Sequence, residues 1–123
     1  MKKQLSHSLN NISKNYRVIF CTCPDQECAE KIAHALLRRK LVACVNIIPS
    51  VVSLYWWEGK IDRSSEVLLL MKTRSSLFDK IEKSVRSLHP YAVPEIVGLP
   101  ITRGSQAYLK WINHSVQHEN KKK

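Results

Sequence analysis

Residues 41–73 read LVACVNIIPSVVSLYWWEGKIDRSSEVLLLMKT, two long apolar runs that meet at Glu58-Gly59. The first run is rich in β-branched and aromatic residues, which favours a strand over a helix. The glycine can adopt the positive φ that a tight hairpin turn requires. We therefore predict a long hairpin with strands at 41–57 and about 60–73. A break or bulge is expected at Pro49, because proline cannot donate to a central ladder.

This hairpin is too long for a small domain. At about 3.3 Å per residue its strands would reach on the order of 40 to 55 Å, whereas a compact domain of about 100 residues has a radius of gyration near 13 Å. The hairpin must bend, overhang or meet another subunit. Tyr55, Trp56 and Trp57 stand directly before the turn, and burying each ring removes roughly 150–250 Å² from water. A lone hairpin tip cannot cover these rings, so we predict that all three lie in an interface.

The segments on either side of the hairpin alternate between strand and helix patterns. Residues 16–23 (YRVIFCTC) are β-branched and aromatic, as in a first strand. Residues 24–40 carry apolar side chains at helical spacing, with Pro24 near the first helical position. The remaining predicted elements are a helix that begins at Ser76 with Asp79 in a capping box, a strand at 95–101 and a helix at 105–116. The order β-α-β-β-α-β-α predicts an α+β fold, the ferredoxin-like βαββαβ arrangement with an added C-terminal helix.

Length and composition indicate one globular domain. The 123 residues are 44% hydrophobic, which is enough for a core and excludes disorder over the whole length. Residues 1–15 are polar and residues 117–123 end in three lysines, so we predict two flexible tails around a domain at 16–116. Half of the net charge of +10 lies in these tails. Basic residues in terminal tails commonly serve only to keep a protein soluble, so the net charge does not predict a nucleic-acid partner.

The sequence also argues against a membrane partner. No apolar h-region of a signal peptide follows Met1-Lys2-Lys3. The longest uncharged apolar stretch, residues 41–57, is interrupted by polar residues and is rich in β-branched ones, unlike a membrane helix. We therefore predict a cytoplasmic protein.

Four cysteines, spaced C-x-C-x4-C…C, are predicted to be thiols in a cytosolic chain. Cys21 and Cys23 are two apart on a strand, so their sulfurs share one face. With His89 as a third ligand, two such thiols could hold a soft ion such as Cu(I). The alternative is structural: the cysteines pack as small hydrophobes, and His89 interacts with the dipole at a helix C-terminus.

No recognised catalytic motif is present: the sequence lacks G-x-G-x-x-G, a Walker loop, G-x-S-x-G and HExxH. An enzyme with Cys21 or Cys23 as nucleophile would need a partnered base, and the pattern offers none. An RNA-recognition module would carry stacking aromatics on its third strand, which has none here. Glu66, Lys72 and Glu95 fall at strand ends, where charges are usually solvated, although in an oligomer they could line an intersubunit cleft.

Four blocks of this sequence, in order and in register, closely resemble the CutA family of divalent-cation tolerance proteins. They are CVNIIP (44–49), SLYWWEGK (53–60), EVLLLMKT (66–73) and HPYAVPEI (89–96). The resemblance covers about residues 16–116. It implies a ferredoxin-like homotrimer whose long hairpins wrap into neighbouring subunits, with a role in metal tolerance and copper binding. Because catalytic motifs are missing as well, we predict a non-enzymatic protein.

The resemblance also implies which residues would bind the copper. The family's proposed ligands carry over as Cys21 and His89. Some members have a second histidine before that one, where this chain has Leu88; Cys23 could compensate as an auxiliary ligand.

An alternative function is that of a trimeric signalling protein similar to the PII family. Such a protein would bind a small anionic ligand between subunits and pass the signal to a partner protein. Lys72, Arg74 and Arg103 are the cations that would meet the anion.

Overall fold

A computed structural model of the chain describes residues 15–118. Its elements, in chain order, are strand β1 (Tyr16–Cys23), helix α1 (Gln26–Arg38), strand β2 (Cys44–Trp57), strand β3 (Lys60–Arg74), a 3-10 turn (Ser75–Leu77), helix α2 (Phe78–Leu88), strand β4 (Ile96–Pro100) and helix α3 (Gln106–Ser115). The four strands form one sheet in the order β2-β3-β1-β4, and each neighbouring pair is antiparallel. This confirms the predicted α+β, ferredoxin-like arrangement with an added C-terminal helix.

The core lies between one face of the sheet and helices α1 and α2. Alternate residues of β1 and β3 point into it, as the two-residue period of a strand requires. Its fully buried members include Ile19, Cys21, Cys23, Leu69 and Met71 from the sheet and Ile32, Leu36, Ile81 and Val85 from the helices. The two cysteines predicted as ligands are therefore held within the main core.

The hairpin formed by β2 and β3 has the predicted bulge and turn. Their register shifts between Ile48 and Val51, on either side of Pro49. Glu58 and Gly59 both have positive φ, 50° and 78°, as in the turns that match the twist of a two-residue hairpin. The hairpin therefore bends at the proline and closes at the glycine.

Strand β2 begins at Cys44, three residues later than predicted. Lys40 adopts a positive φ of 57° after α1, and the backbone N–H of Leu41 donates to the carbonyl of Leu36 at 3.0 Å. Leu41 and Val42 are consequently buried as part of the helix-ending turn and join the core there.

The two main helices start in different ways. Asp25 caps α1, because its carboxylate accepts from the backbone N–H of Cys28 at 2.8 Å; Pro24 directly precedes this cap, near the first helical position as predicted. The predicted start of α2 at Ser76 is wrong. Ser76 lies in the 3-10 turn, and α2 follows it without a side-chain cap. The tighter turn makes its own backbone bond, so a serine cap is not needed.

The predicted tails at 1–15 and 117–123 lie mostly outside the described residues. Gln117, at the edge of that range, is tied to the end of α1: its backbone N–H donates to the Lys40 carbonyl at 2.8 Å, and its side-chain amide donates to the Arg39 carbonyl at 2.9 Å. Within residues 15–118, no helix has both the length and the apolar character that a membrane crossing requires.

The second face of the sheet is partly open in a single chain. Helix α3 covers one end, where Leu109 and Ile112 pack against Tyr16. Further along this face, Val97 and Leu99 are 47% and 46% exposed. The hairpin tip is open as well, with Trp56 74% exposed. Large apolar side chains thus remain uncovered at two places.

Candidate metal-binding site

Strand β1 delivers two thiols to one point of the core. Cys21 and Cys23 lie opposite Leu69 and Val67 of β3, and neither cysteine has any solvent exposure. Both are free thiols. The alternation of the strand therefore gathers two sulfurs on its buried face, as the sequence predicted.

His89 comes to the same point from the end of α2. Its backbone N–H donates to the Val85 carbonyl at 2.8 Å, which ends the helix. Its ring Nε2 donates to the Thr22 carbonyl at 2.7 Å, and its Nδ1 accepts from the backbone N–H of Tyr91 at 3.1 Å. The imidazole is thus neutral, buried and bonded to β1, not to the carbonyls of its own helix.

The donor atoms of Cys21, Cys23 and His89 all lie within 4.8 Å of one another. Donors around a tetrahedral zinc ion, with Zn–S bonds of about 2.3 Å, stand about 3.8 Å apart, so a small inward movement would bring the three to ligand spacing. Thiolate and imidazole suit Cu(I) and other soft ions, whereas Mg²⁺ and Ca²⁺ need oxygen ligands. A metal at His89 would have to replace one of the two hydrogen bonds of its ring.

The surroundings keep the thiols of Cys23 and Cys28 protonated. A hydrogen bond with Cys21, together with burial, holds the pKa of Cys23 far above its ordinary value. Burial and the neighbouring Cys23 raise the pKa of Cys28, in the first turn of α1, to about 11. A nucleophilic cysteine needs the opposite shift. The environment therefore disfavours catalysis by Cys23, and a metal ion would have to displace protons.

Tyr91 and Glu66 form a second layer around His89. The Tyr91 ring lies 4.7 Å from the imidazole, centroid to centroid, and its hydroxyl donates to Glu66 Oε2 at 2.9 Å. Burial and this hydrogen bond raise the pKa of Tyr91 to about 12. Sequence reasoning missed the pair, because 25 residues separate its members and no local pattern joins them.

Beyond Glu66 lies a cleft of about 870 Å³ between the hairpin and the loop that follows His89. Two of the three predicted cleft residues, Glu66 and Glu95, line it together with Tyr55 and Trp57. The third, Lys72, instead bonds to Asn46 and lies 3.7 Å from a cysteine sulfur of β2.

The basic residues predicted to meet an anion are not gathered at this cleft. The Arg74 guanidinium bonds to Asn113 and lies 5.7 Å from the Tyr16 ring centroid. Arg103 is exposed in the loop before α3. The cleft of the single described chain is lined by carboxylates and by no lysine or arginine, so it does not favour an anion.

Comparison with known proteins identifies relatives over most of the chain. Residues 17–115 match the family described as CutA1 divalent ion tolerance protein. The divalent-cation tolerance protein CutA of Thermus thermophilus is 46% identical over 98 residues, which are 80% of this chain and 95% of that protein. The CutA homolog of Xenopus laevis is 46% identical over 85% of this chain and 70% of its own length.

The structural comparison agrees with the sequence comparison. The crystal structure of CutA1 from Oryza sativa superimposes with a TM-score of 0.84 at 40% identity, covering 88% of this chain and 99% of that one. The chain spans about half the length of the mouse and human CutA relatives, 53% and 52%.

Proposed function

This chain belongs to the CutA1 divalent ion tolerance family, and from that premise we propose a non-enzymatic homotrimer that binds copper as Cu(I). The ligands are Cys21 and His89, with Cys23 as an auxiliary ligand. One observation carries the metal site: two buried thiols from β1 and an imidazole from the end of α2 converge within 4.8 Å. Soft donors in a dry site select a soft ion.

The auxiliary role of Cys23 follows from the position that Leu88 occupies. Leu88 takes the place of a second histidine and packs against the core, so no second imidazole adjoins His89 along the chain. Cys23 supplies a sulfur on the same face as Cys21 and within reach of the same imidazole. It thereby gives the site three donors, enough for the low coordination numbers that Cu(I) accepts.

The trimer is supported by the two uncovered apolar surfaces. Tyr55, Trp56 and Trp57 remain at the tip of a bent hairpin that extends past the core. In a trimer these rings would lie against a neighbouring subunit, as would the open part of the sheet face around Val97 and Leu99. Burial of this much aromatic and aliphatic surface is the main driving force for association. The cytoplasmic location remains a prediction.

An anaerobic competition titration against a chromophoric Cu(I) chelator tests the metal site. We expect Cys21→Ser and His89→Ala each to weaken Cu(I) binding by at least tenfold, since loss of even an outer-shell partner costs 10–100-fold in affinity. Circular dichroism confirms that each variant is folded.

Cys44→Ser is the matched control, because its sulfur lies beside Lys72 and Tyr108, away from the site. It should bind like the wild type. If Cys21→Ser and His89→Ala also bind Cu(I) with wild-type affinity, the proposed metal function is wrong and these residues only stabilise the core.

A further inference from the structure

The cleft between the hairpin and the loop after His89 carries two carboxylates without a counterion. Glu66 and Glu95 both line it, and Glu66 is only 8% exposed. Within residues 15–118, neither carboxylate takes part in an ion pair, and the Tyr91 hydroxyl is the one hydrogen-bond donor to the Glu66 side chain. A carboxylate has two accepting oxygens, and buried charges in proteins are usually paired. Glu66 therefore has acceptor capacity left for a cation.

The bend of the hairpin places Glu66 at this cleft. The register of β2 and β3 shifts between Ile48 and Val51, and Glu66 is paired with Val51, directly after the shift. Bulges of this kind commonly re-aim a side chain next to a site. Across the same hairpin, the Tyr55 hydroxyl is hydrogen-bonded to Ser64 Oγ at 3.0 Å. Strand pairing thus positions one carboxylate and one ring of the cleft before any ligand binds.

The rest of the cleft wall is aromatic and aliphatic. Tyr55, Trp57 and Tyr91 contribute rings, and Val52 and Leu54 contribute aliphatic surface. The volume of about 870 Å³ falls in the range of roughly 300–1,000 Å³ that small-molecule sites occupy. Mg²⁺ and Ca²⁺ prefer sites built almost entirely from oxygen ligands, whereas aromatic rings attract organic cations. The cleft therefore suits a protonated amine on an apolar body better than a bare metal ion.

We propose that this cleft binds an organic cation of the alkylammonium class. The ammonium group pairs with Glu66 and Glu95, and the alkyl chain lies along the aromatic and aliphatic wall. This site is separate from the thiol and imidazole donors of the proposed metal site, and it does not depend on them. In the proposed trimer the ligand lies beside the contact between subunits, because Tyr55 and Trp57 belong to both surfaces.

Isothermal titration calorimetry of the full chain with cadaverine, a five-carbon diamine, tests the proposal. We expect the wild type to bind cadaverine but not the neutral diol of the same length. Glu66→Gln keeps an acceptor for the Tyr91 hydroxyl and removes the charge, so it should bind cadaverine at least about tenfold more weakly. Glu95→Gln should weaken binding as well. It lies at an exposed position, so it decides the matter if the buried substitution impairs folding.

Glu30→Gln is the matched control, because it removes the same charge from an exposed glutamate of α1 that does not line the cleft. It should bind cadaverine like the wild type. Sedimentation equilibrium confirms that each variant has the same mass as the wild type.

Four outcomes overturn the inference. One is no binding of cadaverine by the wild type, and another is equal binding of the diol, which makes the cleft an apolar pocket without preference for a cation. The third is wild-type affinity in both Glu66→Gln and Glu95→Gln, or an equal loss in these variants and in Glu30→Gln. The fourth is binding of Mg²⁺ or Ca²⁺ that needs both cleft carboxylates while cadaverine does not bind. None of these results alters the Cu(I) titration, so the metal function and the amine site fail independently.

Discussion

His89 is fixed on three sides, by the Thr22 carbonyl, by the backbone of Tyr91 and by the Tyr91 ring. Its orientation is therefore set before any ion arrives. Exchange of one hydrogen bond for a metal bond costs part of the binding energy, whereas the preset orientation saves the cost of ordering the ring. In the proposed metal site, this second layer would hold the His89 ring in position for an ion.

Removal of the Tyr91 hydroxyl tests this second layer. Tyr91→Phe deletes the hydrogen bond to Glu66, whose buried carboxylate then loses a donor, so we expect the free energy of unfolding to fall by about 1 to 1.5 kcal/mol. Urea titrations at equal protein concentration measure the change.

Tyr108→Phe is the matched control for this change, because that hydroxyl faces a cysteine sulfur only at 4.0 Å. Its stability should stay within about 0.5 kcal/mol of the wild type. If both variants lost the same free energy of unfolding, the hydrogen bond from Tyr91 to Glu66 would contribute no more to stability than the Tyr108 hydroxyl does.

Among the secondary-structure elements, the two main helices start in different ways. A side-chain carboxylate starts α1, whereas a 3-10 turn leads the chain into α2. Ser76, three residues before Asp79, resembles a helix cap in the sequence. In the structure, however, the residues directly before α2 already form a 3-10 turn. Local sequence therefore identifies the helix and misplaces its first turn.

The difference between the helix starts is measurable. Ser105 caps α3 as Asp25 caps α1, because its hydroxyl oxygen accepts from the backbone N–H of Tyr108 at 3.1 Å. Asp25→Ala and Ser105→Ala each remove such a cap, so each should lower the free energy of unfolding by about 1 kcal/mol. Ser76→Ala removes a hydroxyl that caps nothing and should change it by less than about 0.5 kcal/mol. Thermal or urea unfolding of the three variants provides the comparison. A loss at Ser76 as large as that at Asp25 would contradict the observed helix start.

For the whole molecule, the fold was predictable because its signals are local. Pro49 and Gly59 mark the bulge and the turn of the hairpin by their own backbone chemistry, and the helix and strand periods determine the element order. The site was predictable in part. Cys21 and Cys23 share a strand, but the hydrogen bond between Tyr91 and Glu66 joins residues that lie 25 positions apart. Non-local packing of this kind leaves no period in the sequence.

In a single chain, the only sign of the proposed trimer is the apolar surface that remains uncovered. We expect sedimentation equilibrium to give the mass of three chains, and Val97→Asp to shift that mass towards one chain, because a charge buried in an apolar interface is costly. Leu37→Asp is the control, since Leu37 is an exposed residue on helix α1, away from the open sheet face. A monomeric wild type, or a Val97→Asp variant that remains trimeric, would contradict the proposed interface.

The position of β1 at the centre of the sheet has a consequence during synthesis on the ribosome. β1 is made first, yet its ladder partners are residues 67–74 of β3 and 96–100 of β4. The carbonyls at the end of α1 likewise find donors only when Gln117 has been made. Unpaired apolar strands are prone to aggregation while they wait. The nascent chain must therefore carry this largely apolar strand without partners until nearly the whole domain has left the exit tunnel.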